Sequence, residues 1–272
     1  ENEVNIPHTW NAIDGQDGGN DYWRGTCVYH KKFQVPQWNR EEEQVYLQFD
    51  GVSASAEVFV NGHKCLSHQG GYSIFRGDIS EYLKEENELE VKVDNSVNDK
   101  VYPQKADFTF YGGIYRDVYL EINNEIYLKD IFLYSNVDIQ NEKAKLQTEI
   151  EISSLQERLE LIQYIRRTEE SNYEMINKTQ LDGAACRIKL LSEIEDIELW
   201  DIDYPKLYDI KTQIKTGDKI LDERIDKFGF RKAEFLKDGF YLNDRKLKIR
   251  GLNRHQSYPY VGYAMPKSMQ VM

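Results

Sequence analysis

The sequence has 272 residues, and 35 Lys and Arg against 47 Asp and Glu give a formal net charge of −12 at pH 7. That balance excludes nonspecific nucleic-acid binding, which needs a basic face to release counterions from phosphates. Mean hydropathy is −0.70 and the longest unbroken apolar run, Ile131 to Tyr134, is too short to span a bilayer, while the length suits about two domains of roughly 150 residues each.

Alternation at period two begins with Val45, Leu47 and Phe49 against Tyr46 and Gln48, the pattern of a strand with one wet face. Ala56, Val58 and Val60 repeat it and run into Asn61-Gly62, a dipeptide suited to a two-residue hairpin turn. Leu89, Val91 and Val93 against Glu88, Glu90 and Lys92 make another strand. Val118, Leu120 and Ile122 make a further one, which ends at the polar turn Asn123-Asn124. These elements predict a first all-β domain.

Past that turn the alternation restarts in Ile126 and Leu128, then Ile131 to Tyr134, then Leu146, Thr148, Ile150 and Ile152. It ends with Tyr208, Ile210, Thr212 and Ile214 opposite Asp209, Lys211, Gln213 and Lys215. Short strands at this density predict a second antiparallel sandwich. Ser154 to Arg167 also carries helical spacing at Leu155, Leu159 and Ile162; the strand reading is preferred because its neighbours are strands. From Phe228 the character changes, and Tyr241-Leu242 and Leu247-Lys248-Ile249 around Asn243-Asp244 predict a short hairpin. The remaining residues to Met272 hold no complete core, so this stretch reads as a cut through a third domain. Its apolar Phe240, Leu242, Leu247 and Ile249 are expected to be poorly packed.

Cys27, Cys65 and Cys186 are odd in number and widely spaced, without a CxxC pair. They fit neither a disulfide framework nor a structural zinc site and read as small buried apolar residues. The first residues, ENEVNIPHTW, lack the basic start and apolar stretch of a secretory signal. A cytoplasmic location is expected, although a chain that begins without Met leaves an already trimmed signal open.

Three stretches together resemble glycoside hydrolase family 2, the family of β-galactosidases, β-glucuronidases and β-mannosidases. IPHTWNAIDGQDGGNDYWRG, Ile6 to Gly25, is similar to the segment leading into the family's sugar-binding jelly roll. DFTFYGGIYRDVYL, Asp107 to Leu120, is similar to its pattern of an Asp before Gly-Ile-aromatic-Arg. FGFRKAEF followed by DGFYLNDRKLKIRGLNRHQ, Phe228 to Gln256, is similar to the exit from an immunoglobulin-like domain into the first strand of a (β/α)8 barrel. The resemblance implies a mainly β chain: a jelly-roll β-sandwich over residues 1–124, an immunoglobulin-like β-sandwich over 125–228, and over 229–272 a linker and the truncated start of the catalytic (β/α)8 barrel.

Retaining glycosidases use two carboxyl groups about 5 Å apart, and the resemblance places both, as Glu residues, on later barrel strands. After Gly229 the chain contains one Glu, Glu234, set before the first barrel strand. The catalytic pair is therefore absent, and no catalytic residue or metal ligand is assigned here. What the resemblance does assign is substrate binding. Asp107 matches the family Asp that reaches from the jelly roll to the terminal sugar's hydroxyls, a task a carboxylate performs with charge-assisted hydrogen bonds. His255, in Gly251-Leu252-Asn253-Arg254-His255-Gln256, matches the His just past the first barrel strand that faces the sugar, and the C-terminal ends of barrel strands are where such sites sit. Arg254 reads as structural. Arg24 and Arg116-Asp117 read as domain-internal ion pairs, Gly112-Gly113 as a place of close backbone approach or positive φ, and His8 and Trp10 as fixing the leading segment against the sandwich.

The expected function is that of the amino-terminal part of a retaining exo-β-glycosidase, a β-galactosidase first and a β-glucuronide-cleaving enzyme as the alternative substrate class. The chain alone is expected to be inactive. The rival reading is a non-catalytic carbohydrate-binding or scaffold protein that takes sugar on exposed aromatics such as Tyr22, Trp23 and Tyr111. The expected partner is a carbohydrate, with no nucleic acid and no membrane, and a homo-oligomer stays open. No cofactor is assigned to the chain; a sodium or magnesium ion in the full-length enzyme is what the resemblance leaves open.

Overall fold

The computed structural model describes residues 2–14, 22–103, 105–106, 108–154, 158–181, 183, 186–254 and 256–271. The chain divides into two compact units, Glu1–Asn123 with Asn253–Met272, and Asn124–Leu252. The described residues are almost all strand and loop, and among them no helix is long and apolar enough to cross a membrane.

In the first unit the strands are β1 (Thr26–Phe33), β2 (Glu43–Phe49), β3 (Val52–Ser53), β4 (Ser55–Val60), β5 (His63–Gln69), β6 (Phe75–Asp78), β7 (Asn87–Asp94), β8 (Gly113–Ile114) and β9 (Val118–Asn124). They form a sheet in the order β1-β7-β4-β5, a second in the order β6-β2-β9, and a short pair β3-β8. This is the jelly-roll sandwich. The alternation read from the sequence is what packs it: Val45, Leu47 and Phe49 of β2 share one buried cluster with Ala56, Val58 and Val60 of β4 and Leu89, Val91 and Val93 of β7. Burial of such side chains contributes about 1.5–3 kcal/mol each. Asn61-Gly62 joins β4 to β5 as expected.

The second unit, an immunoglobulin-like sandwich, is built from β10 (Leu128–Asp138), β11 (Lys143–Ile152), β12 (Leu159–Arg167), β13 (Glu174–Leu181), β14 (Arg187–Ile194), β15 (Tyr208–Thr216) and β16 (Lys219–Phe228). Its sheets run β10-β11-β14 and β13-β12-β15-β16. The helical spacing around Leu159 yields to a strand because β12 pairs along its length with β15, from Leu159 opposite Thr216 to Arg167 opposite Tyr208. One expectation fails here. Asp209 and Gln213 of β15 are buried, not on a wet face, because Arg166 of β12 and Glu223 of β16 cover them with hydrogen-bonding groups.

The expected hairpin is a three-stranded meander, β17 (Ala233–Leu236), β18 (Gly239–Leu242) and β19 (Arg245–Leu247). Its turn residues Asn243 and Asp244 both take positive φ. The truncated barrel start is not visible among the described residues. A parallel barrel strand is held by strands on both sides, and the stretch from Lys248 to Asn253 has none, leaving Leu252 fully exposed. The packing of the tail is mixed: Phe235, Leu236 and Ile249 are exposed, while Leu242, Ala264 and Met265 are buried. The cysteines are free, with Cys186 exposed and Cys27 and Cys65 only half-buried, which corrects their reading as small buried apolar residues, although Cys65 packs against the first unit's core.

Candidate functional site

Asp107 and His255 both lie outside the described residues. The stretches beside them, from Phe108 to Arg116 and from Gln256 onward, are described, and both belong to the first unit. The physical question is what fixes these stretches.

The stretch after Phe108 is held through its backbone by two fully buried asparagines, Asn11 and Asn95. Asn95 follows β7, and its amide nitrogen donates to the Phe110 carbonyl at 3.0 Å and to Asn11 Oδ1 at 3.2 Å. Its Oδ1 accepts from the Gly25 amide at 2.9 Å. Asn11 Oδ1 also accepts from the Gly112 amide at 2.8 Å, and its nitrogen donates to the Trp23 carbonyl at 2.8 Å. Arg24 Nε donates to the Asn95 carbonyl at 2.7 Å, and its guanidinium lies 5.1 Å from the Phe110 ring centre. The Tyr22 hydroxyl accepts from the Phe110 amide at 3.1 Å. Buried polar groups are tolerated only when paired in this way. Here the pairing converts three distant stretches into one frame.

The leading segment completes that frame. The His8 amide donates to the Ile114 carbonyl at 2.7 Å and the Trp10 amide to the Gly112 carbonyl at 3.3 Å. His8 Nδ1 lies 2.8 Å from the Tyr29 hydroxyl. Burial lowers the His8 pKa and raises that of Tyr29, so both are neutral at pH 7. Gly113 has φ +136°, and a Cβ there would sit 2.4 Å from the His8 carbonyl oxygen. Both expected reasons for glycine hold at this position. The ion pairs expected of Arg24 and Arg116 give way to backbone contacts: Arg116 donates to the carbonyls of Tyr115 and Tyr263 at 2.9 and 2.7 Å.

Sequence reasoning missed Asn11 and Asn95. An Asn directly after an alternating strand was the available signal for Asn95; nothing local marks Asn11. Tyr111, expected to be exposed, is buried with its ring edge-on to Tyr263, whereas Trp23 is 52% exposed. Glu234 on β17 pairs with Lys232 at 3.2 Å. Among the described residues no three His, Cys, Asp or Glu side chains cluster as metal ligands.

The fold is a jelly-roll β-sandwich followed along the chain by an immunoglobulin-like β-sandwich. The description "Glycosyl hydrolases family 2, sugar binding domain" matches residues 6–123, and "Glycosyl hydrolases family 2" matches residues 126–231. The chain is 36% identical to a β-galactosidase of Thermoanaerobacterium thermosulfurigenes over 98% of its own length and 38% of that protein. It is 31% identical to a β-glucuronidase of Bacteroides fragilis over 96% of its length and 39% of that protein. The crystal structure of a Bacteroides uniformis β-glucuronidase superposes with a TM-score of 0.87 at 30% identity, covering 99% of this chain and 34% of that one. The chain belongs to glycoside hydrolase family 2 and corresponds to the amino-terminal part of its members. It spans under two fifths of the curated relatives' length.

Proposed function

We propose that this chain is the amino-terminal portion of a retaining exo-β-glycosidase that hydrolyses terminal β-D-galactosides, and that its part is to complete the sugar pocket. The observation that carries the reading is the 36% identity to a β-galactosidase across 98% of the chain. Asp107 accepts hydrogen bonds from the terminal sugar's hydroxyls, and His255 donates one from its imidazole. Bond cleavage needs an acid and a nucleophile supplied by residues outside this chain, so the 272 residues alone hydrolyse no aryl glycoside above background. A β-glucuronide is the second reading, favoured by the superposition on the B. uniformis enzyme. The scaffold reading is weakened by the burial of Tyr111, one of its three aromatics.

The test is the full-length protein assayed on matched aryl β-galactosides and β-glucuronides, with Asp107→Ala beside it. A charge-assisted hydrogen bond worth about 1.5–3 kcal/mol predicts a roughly ten- to 150-fold fall in kcat/KM for that variant. Stability should be unchanged, because a residue partnered by substrate supports no core. Preference for the glucuronide would overturn the galactosidase reading. Unchanged kinetics in Asp107→Ala would remove this residue from the pocket.

A further inference from the structure

The segment from Lys248 to Asn253 pairs with no strand, yet the stretch from Asn253 onward is seated in the first unit. The stretch turns back on itself: the Tyr258 amide donates to the Gly262 carbonyl at 2.9 Å and the Ala264 amide to the Val261 carbonyl at 3.0 Å. This presents Tyr263 to Tyr111 and Tyr115. Its ring meets both edge-on, with centres 4.8 and 4.7 Å away. Its hydroxyl donates to the Tyr111 carbonyl at 2.6 Å, and Arg116 grips the Tyr263 carbonyl at 2.7 Å. Ala264 and Met265 are buried behind it. Gly262 lies so near that a Cβ on it would sit 2.7 Å from the Tyr111 ring. Two aromatic contacts, a hydrogen bond to the backbone and a return hydrogen bond from Arg116 join the same short segments. Edge-to-face aromatic pairs are favourable beyond the area they bury, and burial keeps the Tyr263 phenol protonated as a donor.

The two joined segments are the ones that adjoin the candidate sugar contacts. Tyr111 is four residues after Asp107, and Tyr263 is eight after His255. We infer that Tyr263 is a positioning residue, whose insertion between Tyr111 and Tyr115 locks the segment after His255 onto the segment after Asp107. The inference rests on the proposed function, in which both residues serve one sugar. In this role Tyr263 acts through the two segments it joins.

The experiment is a double-mutant cycle in the full-length protein. Tyr263→Phe deletes only the hydroxyl, which donates to the Tyr111 carbonyl and is also hydrogen-bonded to Ser53; Tyr263→Leu deletes the ring contacts as well. Each is measured alone and in the Asp107→Ala background. The expected result is a three- to tenfold fall in kcat/KM for Tyr263→Phe and a larger fall for Tyr263→Leu, with most of each in KM. Both losses should shrink to less than twofold once Asp107 is gone, because residues acting on one contact do not add. A purely structural role would give the same factor in both backgrounds, and that outcome overturns the inference. So does wild-type kinetics in both Tyr263 variants while Asp107→Ala is impaired. An unimpaired Asp107→Ala removes the proposed function and this inference together, and is told apart by that one variant. If Tyr263→Leu does not fold, Tyr263→Phe still decides through amide exchange: the Gly112 and Tyr115 amides should exchange at least fivefold faster than in the parent, and unchanged exchange overturns the inference.

Discussion

The two sandwiches share an architecture and differ in where they place buried polar groups. In the first, Asn11 and Asn95 spend most of their hydrogen bonds on backbone groups of loops, at Gly25, Trp23, Phe110 and Gly112, beside one bond to each other and one from Asn11 to Asp14. In the second, Gln163 of β12 spends its own on side chains, with its nitrogen 3.0 Å from Thr148 Oγ1 on the facing sheet and 3.3 Å from Thr212 Oγ1 on β15. Arg166 and Asp209 likewise pair side chain to side chain on neighbouring strands. A side-chain partner can be exchanged together with its mate, but a backbone partner stays whatever is substituted. The first arrangement therefore fixes the shape of a loop end, which a binding site needs. The second braces a sheet.

That difference is broken hardest at Asn95. Asn95→Leu leaves the part-buried Gly25 amide and Phe110 carbonyl and the buried Asn11 Oδ1 without this partner, at up to about 1–3 kcal/mol per orphaned group before relaxation. We expect about 3–4 kcal/mol lost from the first unit, a fall in its melting temperature of roughly 10 °C, and no shift of the second. Calorimetry on the 272-residue chain checks this. Equal shifts of both transitions would show that the frame is not local to its unit.

The second expectation is smaller. Burial pushes the Asp209 carboxyl up, but the Arg166 and Thr168 hydrogen bonds and the Arg166 charge outweigh it and hold the group below its ordinary value of 3.8. A carboxyl with a depressed folded-state pKa contributes stability that is fully present above 3.8 and lost as pH falls through the folded-state value. Asp209→Asn should cost the second unit about 2–3 kcal/mol near pH 7, and the gap to the parent should close as pH falls below that window. Urea unfolding at several pH values measures it. A gap that persists at the acid end would mean that shape, not charge, is what Asp209 supplies.

These two residues also show how much was legible in the sequence. Period-two alternation exposed β2, β4, β7 and β9 of the first sandwich and β10, β11 and β15 of the second, because burying one face imposes that pattern on each strand separately; the edge strands, wet on more than one side, carry it weakly. Asn61-Gly62 exposed a turn for the same local reason. The frame around Phe110 could not be read this way, since Asn11 and Asn95 meet across 84 residues and neither disturbs the local pattern. Asp209 sat where alternation predicts water, and only the strand beside it brings Arg166 within reach. Tyr111 was read as exposed because its cover, Tyr263, arrives from 152 residues away. Asp107 and His255 rest on motif resemblance alone, and both lie outside the described residues.

A third test separates the two kinds of network directly. Replacing Gln163, Thr148 and Thr212 together by Leu, Val and Val removes every polar partner at once and leaves a packed apolar interior. Such a swap should cost less than about 1 kcal/mol, whereas Gln163→Leu alone, which strands two hydroxyls, should cost about 2. No set of side-chain changes can do the same at Asn95. If the triple variant is as unstable as the single one, side-chain and backbone partners are equivalent here and the comparison fails.

The smallest effect is expected on the outer face of β11 and β14, where ion pairs are frequent. Lys145 and Glu193 stand directly opposite each other, 3.6 Å apart, with their side chains 61% and 77% exposed. Lys189 and Glu149 repeat the arrangement four residues along at 2.6 Å. Exposed pairs gain little from Coulomb attraction in water and give some of it back in side-chain entropy. Alanine substitutions at Lys145 and Glu193, singly and together, should yield a coupling of less than about 0.5 kcal/mol, and about half a molar salt should abolish it. The value matters because frequency and weight are easily confused. These pairs outnumber the buried networks, so a large, salt-resistant coupling would move the second unit's stability from its interior to its surface, and the contrast with the first unit would have to be drawn there instead.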